Sequence, residues 1–227
     1  MENTHIVKVE NVSRIFGTGQ QVVHALKNVN FSIEPEKLVV FRGRSGSGKT
    51  TLINIIGALD YPTDGHVYFM DKDETQISEG ERNDIRKFHM GFVFQTFALL
   101  PLMSAYENVE FGLRIAGIPA KDRKARAEEC LTFVGLHKRM NHRPFEMSGG
   151  EQQRVAIARA IAHSPKLILA DEPTAELDSK MGLQVMKLFK DLIVKEKVTI
   201  IITSHDPSVI DIADCVFDLE DGQILGG

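Results

Sequence analysis

The chain has 227 residues, of which 43% are hydrophobic and 26% are charged, and its formal net charge is -4. At ~150 residues per domain, this length predicts one large domain or one core with an embedded subdomain. The composition is close to the globular average and excludes a disordered or collagen-like chain. Proteins that bind nucleic acid are normally basic, so the negative charge argues against that class.

Neither a membrane span nor a secretion signal is expected. No apolar run approaches the ~18 residues that a spanning helix needs, and the first five residues have neither the charged start nor the apolar stretch of a signal peptide. Cys130 and Cys215 lie far apart beside apolar residues. We therefore expect two small buried hydrophobes rather than redox centres, in a soluble protein of a reducing compartment.

The first part of the chain reads mainly as strands. Alternating apolar and polar residues predict a strand at 6–12, and a break at 16–19 follows it. Further strands are predicted at 21–26, 29–33 and 66–70. The continuous apolar run at 37–41 predicts a strand buried on both faces. Apolar residues at helical spacing predict a helix over 50–59.

The rest of the chain alternates helices and buried strands. Residues 79–162 read as mostly helical apart from a strand at 91–94, and buried strands return at 167–170 and 198–203 around a helix at 179–195. Residues 215–219 and 222–225 predict a closing hairpin. Strands joined by helical crossovers favour a parallel α/β sheet. We expect a core formed by about 1–95 and 163–227, with a helical lobe inserted at about 96–162.

A glycine-rich loop between the buried strand and the next helix carries the clearest chemistry. It matches the phosphate-loop pattern G-x-x-x-x-G-K-[ST] with Gly43, Arg44, Ser45, Gly46, Ser47, Gly48, Lys49 and Thr50. The glycines let consecutive backbone N–H groups point at phosphate oxygens. Lys49 adds a charge at the β- and γ-phosphates, and Thr50 offers a hydroxyl ligand to Mg²⁺. The alternative interpretation is a glycine-rich surface turn.

Two acidic residues end the buried strand at 167–170. Asp171 stands where a carboxylate could hold Mg²⁺ in phosphate-loop enzymes, and Glu172 could polarise a water molecule for attack on the γ-phosphate. The pair could also be no more than the acidic end of a strand before Pro173. A phosphate loop in the same chain makes the catalytic interpretation the better one.

A third motif precedes the helical stretch 155–162. Ser148 and Glu151 have the spacing of a capping box, and Gly149 and Gly150 would let a phosphate approach the backbone. From spacing alone, a well-capped helix is the better interpretation of the motif. The pattern does not say which phosphate the helix would face.

Together these motifs resemble the nucleotide-binding subunit of ATP-binding cassette (ABC) transporters. The phosphate loop, Gln95 after Gly91-Phe92-Val93-Phe94, the signature Ser148-Gly149-Gly150-Glu151, Asp171-Glu172 and His205 occur in the family's order over nearly the whole chain. The resemblance implies a phosphate-loop (RecA-like) core with an antiparallel β subdomain and an inserted α-helical signature subdomain. It also implies that two copies pair head to tail around two ATP molecules.

The resemblance also implies roles for individual residues. Glu172 would be the catalytic base, His205 would contact the γ-phosphate, and Lys49 would assist catalysis. Thr50, Gln95 and Asp171 would hold Mg²⁺, and Thr51 would join the phosphate loop in binding ATP. The signature residues, with Glu151 in place of the commoner Gln, would contact the partner subunit's nucleotide. Leu177 and Asp178 would form a loop across the dimer, and Glu176 would add a carboxylate there.

Phe16 falls where the family has an aromatic residue that stacks on adenine, and an ordinary core residue is the alternative. His137, His142 and His163 fit no metal-site spacing. Phe97, Leu100 and Leu102 follow Gln95. The family receives a helix of its membrane partner there, so we expect these three residues to form part of that groove.

Several further stretches are most similar to the macrolide-export and lipoprotein-release type, among them 23–29, 99–101 and 204–207. This likeness implies an ATPase that forms a homodimer and energises a separate permease, for export or extrusion from the membrane. The expected place is the cytoplasmic face of the cell membrane, with no nucleic-acid partner. A regulatory ATPase that transmits force through a membrane protein without moving a solute is the alternative, and the substrate stays open.

Overall fold

The computed structural model describes residues 5–17, 19 and 21–225. Residues 1–4, on which most of the argument against a signal peptide rests, lie outside this range. Thr18, in the break predicted at 16–19, also lies outside it. None of the helices within the described range is both long and apolar enough to cross a membrane.

A six-stranded sheet forms the centre of the molecule. Its order is β10 (Gln223–Ile224), β9 (Cys215–Glu220), β3 (Leu38–Arg42), β8 (Thr199–Ser204), β7 (Leu167–Asp171) and β6 (Met90–Val93). All neighbouring strands are parallel except the antiparallel pair β9–β10. The predicted parallel α/β sheet and closing hairpin are therefore confirmed, and β9 of the hairpin also pairs with β3.

A second, antiparallel sheet has the order β2 (Val23–Ile33), β1 (Val7–Phe16), β4 (Asp64–Phe69) and β5 (Lys72–Asp73). The prediction of two strands at 21–26 and 29–33 is wrong, because both belong to β2. Register shifts between β1 and β2 absorb the irregular alternation of the sequence. Asn28, inside β2, adopts a φ of 51°, which asparagine tolerates better than most residues.

Seven α-helices surround the two sheets in the described part of the chain: α1 (Lys49–Ile56), α2 (Glu79–His89), α3 (Ala105–Ile115), α4 (Ala120–Phe133), α5 (Gly149–Ile161), α6 (Ser179–Glu196) and α7 (Pro207–Ile210). Serine capping boxes begin α2, α3 and α5. Helices α3, α4 and α5 lie between β6 and β7 in the chain, as the inserted lobe requires. The lobe's limits at 96 and 162 stay a prediction, because its helices share a hydrophobic core with the central sheet.

The central sheet separates two hydrophobic cores. Side chains alternate between the faces of a strand, so Val40 and Ile202 join one core while Val39 and Ile201 join the other. The first core packs against α3 to α6, and the second packs against α1 and the antiparallel sheet. Both faces of β3, β7 and β8 are buried; in β3 and β7 only the last residue, at the carboxyl end, is accessible.

Candidate active site

The phosphate loop connects the end of β3 to the start of α1. Gly46 and Gly48 adopt φ values of 80° and 105°, which L side chains rarely adopt. A Cβ on Gly48 would also lie 2.5 Å from the carbonyl oxygen of Ala25. The first turn of α1 contains no acidic residue. The free N–H groups of this turn and the positive end of the helix therefore favour an anion.

Lys49 lies inside this loop, with 5% of the residue exposed. Its Nζ donates hydrogen bonds to the carbonyl oxygens of Gly43 and Arg44 at 2.8 and 3.0 Å. The nearest carboxylate oxygen, Oε1 of Glu172, is 3.8 Å away. The ammonium group is thus held at the loop and is available to an incoming phosphate.

A cleft of about 380 Å³ opens beside the loop. Its walls come from the loop and α1, from β2, from the turn of the C-terminal hairpin and from Glu172; they include Ser45, Gly46, Gly48, Lys49, Thr50 and Thr51. Lys27 of β2 also lines the cleft. The cleft therefore offers cations and backbone N–H groups where a polyphosphate would lie.

The C-terminal hairpin supports the loop from behind. A Cβ on Gly43 would lie 2.2 Å from the carbonyl oxygen of Leu219, so the two backbones are in close contact. The Gly222 N–H donates to the carbonyl oxygen of Ser47 at 3.1 Å, and the Gly222 carbonyl accepts from the Lys27 N–H at 2.8 Å. Sequence reasoning missed this support, because a glycine-containing turn does not reveal its distant partners.

Hydroxyl groups hold the acidic end of β7. Thr50 Oγ1 donates to Oδ2 of Asp171 at 2.9 Å, and Thr203 Oγ1 donates to Oδ1 at 2.5 Å. The Glu172 N–H in turn donates to Thr203 Oγ1 at 2.9 Å. Thr203, buried at the end of β8, is a site residue that sequence reasoning missed. Its only signal was a hydroxyl at the end of a predicted buried strand.

The adjoining oxygens of Thr50 and Asp171 fit Mg²⁺, a hard cation that prefers oxygen ligands and completes its shell with water and phosphate. Gln95, the third predicted ligand, contacts neither Thr50 nor Asp171 through a hydrogen bond among those found in the described residues. Its amide Nε2 lies 3.5 Å from Oε1 of Glu176 in the loop after β7. The structure thus joins two of the three predicted metal ligands to each other and the third to the predicted cross-dimer loop.

The three predicted catalytic residues form one cluster. Oε1 of Glu172 lies 3.8 Å from Nζ of Lys49 and 3.8 Å from Nδ1 of His205. Glu172 has a φ of 45°, an unfavourable value for glutamate that recurs at functional sites. The side chain of His205 is 70% exposed and so can reach a ligand or a second protein chain.

Phe16 ends β1 opposite Val23, a residue that lines the cleft. The residue is 41% exposed, which does not fit the alternative of a core residue. The guanidinium carbon of Arg14 lies 4.4 Å from the ring centroid, so a cation–π contact occupies that side of the ring. Stacking of adenine on the ring stays a prediction.

The signature begins α5 with the expected capping box. Ser148 Oγ accepts from the Glu151 N–H at 3.3 Å, and Oε2 of Glu151 accepts from the Ser148 N–H at 2.9 Å. This backbone N–H is the main reason that the pKa of Glu151 is lowered, and Arg139 adds to the effect. The carboxylate of Glu151 is therefore engaged within its own chain.

The signature does not line the cleft of its own chain. Among the described residues that line the cleft, none belongs to 148–151. A Cβ on Gly149 would instead meet Glu176, Leu177 and Phe97 at 3.7 to 3.8 Å. This arrangement leaves the signature available to another molecule.

A depression lies close to Gln95, and the part of Phe97, Leu100 and Leu102 in a docking groove stays a prediction. A depression of about 280 Å³ lies between α2, β6, α3 and α5, with Phe92, Phe94, Ala98 and Ile115 on its walls. Phe97, Leu100 and Leu102 are not among its described lining residues. The backbone turns after Phe94, where the Phe97 N–H donates to the Phe94 carbonyl oxygen, and Leu102 is 79% exposed.

The two cysteines and the histidines outside the cleft are placed as follows. Cys130 is buried, and burial raises the pKa of its thiol to about 11. Cys215 is only half-buried. In the part of the chain that the structure describes, no three His, Cys, Asp or Glu side chains form a metal-binding group. His163 contacts the carbonyl oxygen of Met90 at 3.0 Å.

Comparisons with known proteins agree with this geometry. The family model described as "ABC transporter" matches residues 26–175. The uncharacterized ABC transporter ATP-binding protein MJ0796 of Methanocaldococcus jannaschii is 43% identical over 223 residues, covering 96% of this chain and 95% of the relative. An uncharacterized ABC transporter ATP-binding protein of Thermotoga maritima is 42% identical, with 97% and 94% covered.

One relative is a larger protein. The macrolide export ATP-binding/permease protein MacB of Marinobacter nauticus is 43% identical over 220 residues, which are 97% of this chain and 34% of MacB. Among solved structures, the dimeric post-hydrolysis state of the MJ0796 cassette bound to ADP and Pi matches with a TM-score of 0.89 and 42% identity, covering 97% of each chain. The cbiO1 protein of Clostridium perfringens also has a TM-score of 0.89, at 29% identity, covering 98% of this chain and 88% of that one.

Proposed function

The chain belongs to the ABC transporter family, and from that premise we propose that it is the ATP-hydrolysing subunit that drives a separate membrane permease. One observation carries the proposal: Lys49, Thr50, Asp171, Glu172 and His205 converge at the carboxyl ends of three adjacent parallel strands, around the phosphate loop. Ligands of open α/β sheets bind at such edges.

The residues of this cluster suggest how ATP is cleaved. Lys49 and the backbone N–H groups of the loop hold the β- and γ-phosphates, and Thr50, Asp171 and Gln95 would hold Mg²⁺, which neutralises phosphate charge when bound. Glu172 accepts a proton from the water that attacks the γ-phosphorus. The bond from that phosphorus to the β–γ bridging oxygen breaks, and ADP leaves with the electron pair. His205 stabilises the charge on the γ-phosphate oxygens.

A second copy completes each site. The signature begins a helix, and its residues are not among the described residues that line the chain's own cleft. In a head-to-tail pair, Ser148, Gly149 and Gly150 would cover the γ-phosphate bound by the partner's loop. The published relative MJ0796 is dimeric in complex with ADP and Pi, which supports this arrangement.

The permease is a separate polypeptide in this proposal. MacB is named as an ATP-binding/permease protein, and this chain corresponds to about a third of it. The groove beside Gln95 offers a docking place, with apolar walls and the cations of Arg86 and Lys87 at its rim. Docking there would hold the chain at the cytoplasmic face of the membrane, and export is the direction that the likeness to MacB favours.

Purification of the complex tests the proposal. The tagged chain is extracted from detergent-solubilised membranes, and the membrane protein that co-purifies is identified and reconstituted with it in vesicles. We expect ATP-dependent movement of a solute that stops in the Glu172→Gln variant. ATP turnover without any solute flux would contradict a transport function, and the absence of a membrane partner would contradict the coupling.

A further inference from the structure

Arg159 connects helix α5 to the loop that follows Gln95. Its Nη1 donates to the carbonyl oxygen of Ala98 at 2.5 Å, and its Nη2 donates to the carbonyl oxygen of Phe97 at 3.0 Å. The two carbonyls are consecutive in the chain, so one planar guanidinium group holds one turn of the loop with two bonds.

The loop needs such support because its backbone is strained. Phe97 and Ala98 adopt φ values of 60° and 48°, two adjacent residues in the region that favours glycine. The Phe97 N–H donates to the carbonyl oxygen of Phe94, and the Ala98 N–H donates to that of Thr96. The turn therefore encloses Gln95, and the direction of its side chain depends on these two left-handed residues.

The guanidinium of Arg159 has no charged partner among the described residues. No carboxylate in the described part of the chain pairs with it. By contrast, Arg126 of α4, which contacts the C-terminal end of α5, pairs with Glu129 and Glu196. A Cβ on Gly112 would lie 3.1 Å from Cγ of Arg159, so the side-chain stem packs tightly against α3. Burial lowers the pKa of this guanidinium. Burying a charge without a counter-charge costs free energy. We therefore expect the hydrogen bonds of Arg159 to serve a purpose that offsets this cost.

We propose that Arg159 is a positioning residue for Gln95: it fixes the Phe97–Ala98 turn and thereby holds the Gln95 side chain in its place beside Glu176, from which it would bind Mg²⁺. The proposal rests on the proposed role of Gln95 as a metal ligand. Because α5 begins at the signature and carries Arg159 in its last turn, this helix also connects the partner-facing signature to the Gln95 loop of the same chain.

A tryptophan reporter tests the structural part without nucleotide or metal. The chain contains no tryptophan, so Phe97→Trp provides a single fluorescent probe in the turn. In this background, Arg159→Met should raise quenching by iodide about two-fold, because the freed turn becomes more accessible. Arg126→Met is the matched control: it removes hydrogen bonds to the carbonyls of Ile161 and Ala162 at the end of the same helix and should leave quenching unchanged. Unchanged quenching in Arg159→Met would overturn the proposal.

Magnesium titration of the ATPase tests the functional part, with wild-type Phe97. Arg159→Met should raise the half-saturating Mg²⁺ concentration about five-fold or more. Arg159→Lys, which keeps the charge but not the planar group that donates two hydrogen bonds, should raise it less. The double variant Arg159→Met/Gln95→Ala should have the same half-saturating Mg²⁺ concentration as Gln95→Ala alone. If the fold-increases of the two single variants multiply in the double variant, the proposal is overturned. If Gln95→Ala itself leaves the Mg²⁺ midpoint unchanged, the metal role of Gln95 is wrong, and the quenching result still decides whether Arg159 holds the turn.

Discussion

Thr203 orients Asp171 through a hydrogen bond of 2.5 Å from its buried hydroxyl to Oδ1 of the carboxylate. The same hydroxyl accepts the N–H of Glu172, the residue with the left-handed backbone. One side chain on β8 thus fixes both acidic residues at the end of β7.

Replacing Thr203 should therefore impair both stability and catalysis. Thr203→Val keeps the shape but leaves the Glu172 N–H without its partner, which should cost about 1–3 kcal/mol in unfolding free energy. The loss of orientation should lower kcat by about ten-fold or more. Thr203→Ser keeps the hydroxyl and is the matched control. Wild-type turnover in the valine variant, measured by phosphate release, would contradict this account.

Glu172→Gln separates binding from chemistry. The amide keeps the size of the side chain but cannot accept the proton of the attacking water, so kcat should fall by about 10²–10⁴-fold. ATP should still bind, and the uncleaved nucleotide should hold two copies together. Size-exclusion chromatography with and without ATP measures the trapped dimer. A variant that hydrolyses ATP at the normal rate would show that Glu172 is not the base.

Lys49→Ala should instead affect the binding of nucleotide. The buried ammonium group lies at the phosphate loop, and its removal takes away the charge that faces the β- and γ-phosphates. We expect at least a ten-fold weaker Kd for ATP in equilibrium binding by fluorescent-nucleotide competition. Lys27→Ala, on the wall of the same cleft but outside the loop, should have a smaller effect. An equal loss of ATP affinity in the two variants would mean that Lys49 does not contact the phosphates more directly than Lys27 does.

Mixing two inactive variants tests whether each site is shared between copies. Gly149→Arg should leave the fold intact, because a Cβ there meets nothing closer than 3.7 Å, but it should block the partner's nucleotide. Mixed with Lys49→Ala, half of the randomly formed dimers contain one intact site, so about a quarter of wild-type ATPase activity should return. If each site lay within one chain, the mixture would stay inactive.

The buried carboxyl of Glu74 should make stability depend on pH. Neither of its oxygens has a hydrogen-bond partner among the described residues, and burial raises its pKa well above the ordinary value despite the nearby Arg82. The folded protein therefore holds a proton that the unfolded chain releases above its own pKa of ~4.3, and stability falls as pH rises from there towards the raised pKa.

The variant Glu74→Gln removes this titration. Its unfolding free energy should improve relative to wild type as pH rises from 5 to 8, by at most about 1.4 kcal/mol per pH unit, as measured by urea denaturation. Glu81→Gln is the control. The backbone and hydroxyl of Ser78 lower the pKa of Glu81 to about 2, so Glu81 stays ionised over this range and should not change the slope. Parallel wild-type and Glu74→Gln curves would exclude a titrating Glu74.

The elements that sequence reasoning placed correctly are those with local signals. The phosphate loop needs glycine at positive φ, and the buried strands β3, β7 and β8 read as continuous apolar runs. These features depend on neighbouring residues, so a single sequence reveals them. The parallel sheet followed from the order of strands and helices alone.

The missed features depend on contacts between distant parts of the chain. Nothing near Thr203 indicates that its hydroxyl bonds to Asp171, 32 positions away. The Gln95 amide lies beside Glu176, 81 positions on, and this contact also has no local signal; the binding of Mg²⁺ by Gln95 stays a prediction. Strand β2 appeared as two strands because register shifts interrupt its alternation. Periodicity describes one segment at a time and says nothing of such pairings.

The support of the phosphate loop by the C-terminal hairpin also sets an order of events during synthesis. Arg42, next to the loop, is bonded to Asp218, 176 positions later, and Gly222 bonds to Ser47. A ribosome that has translated the loop, α1 and both acidic residues has therefore not yet supplied the strand that supports the loop. The nascent chain should gain its affinity for ATP only after β9 and the turn that contains Gly222 have emerged from the ribosome.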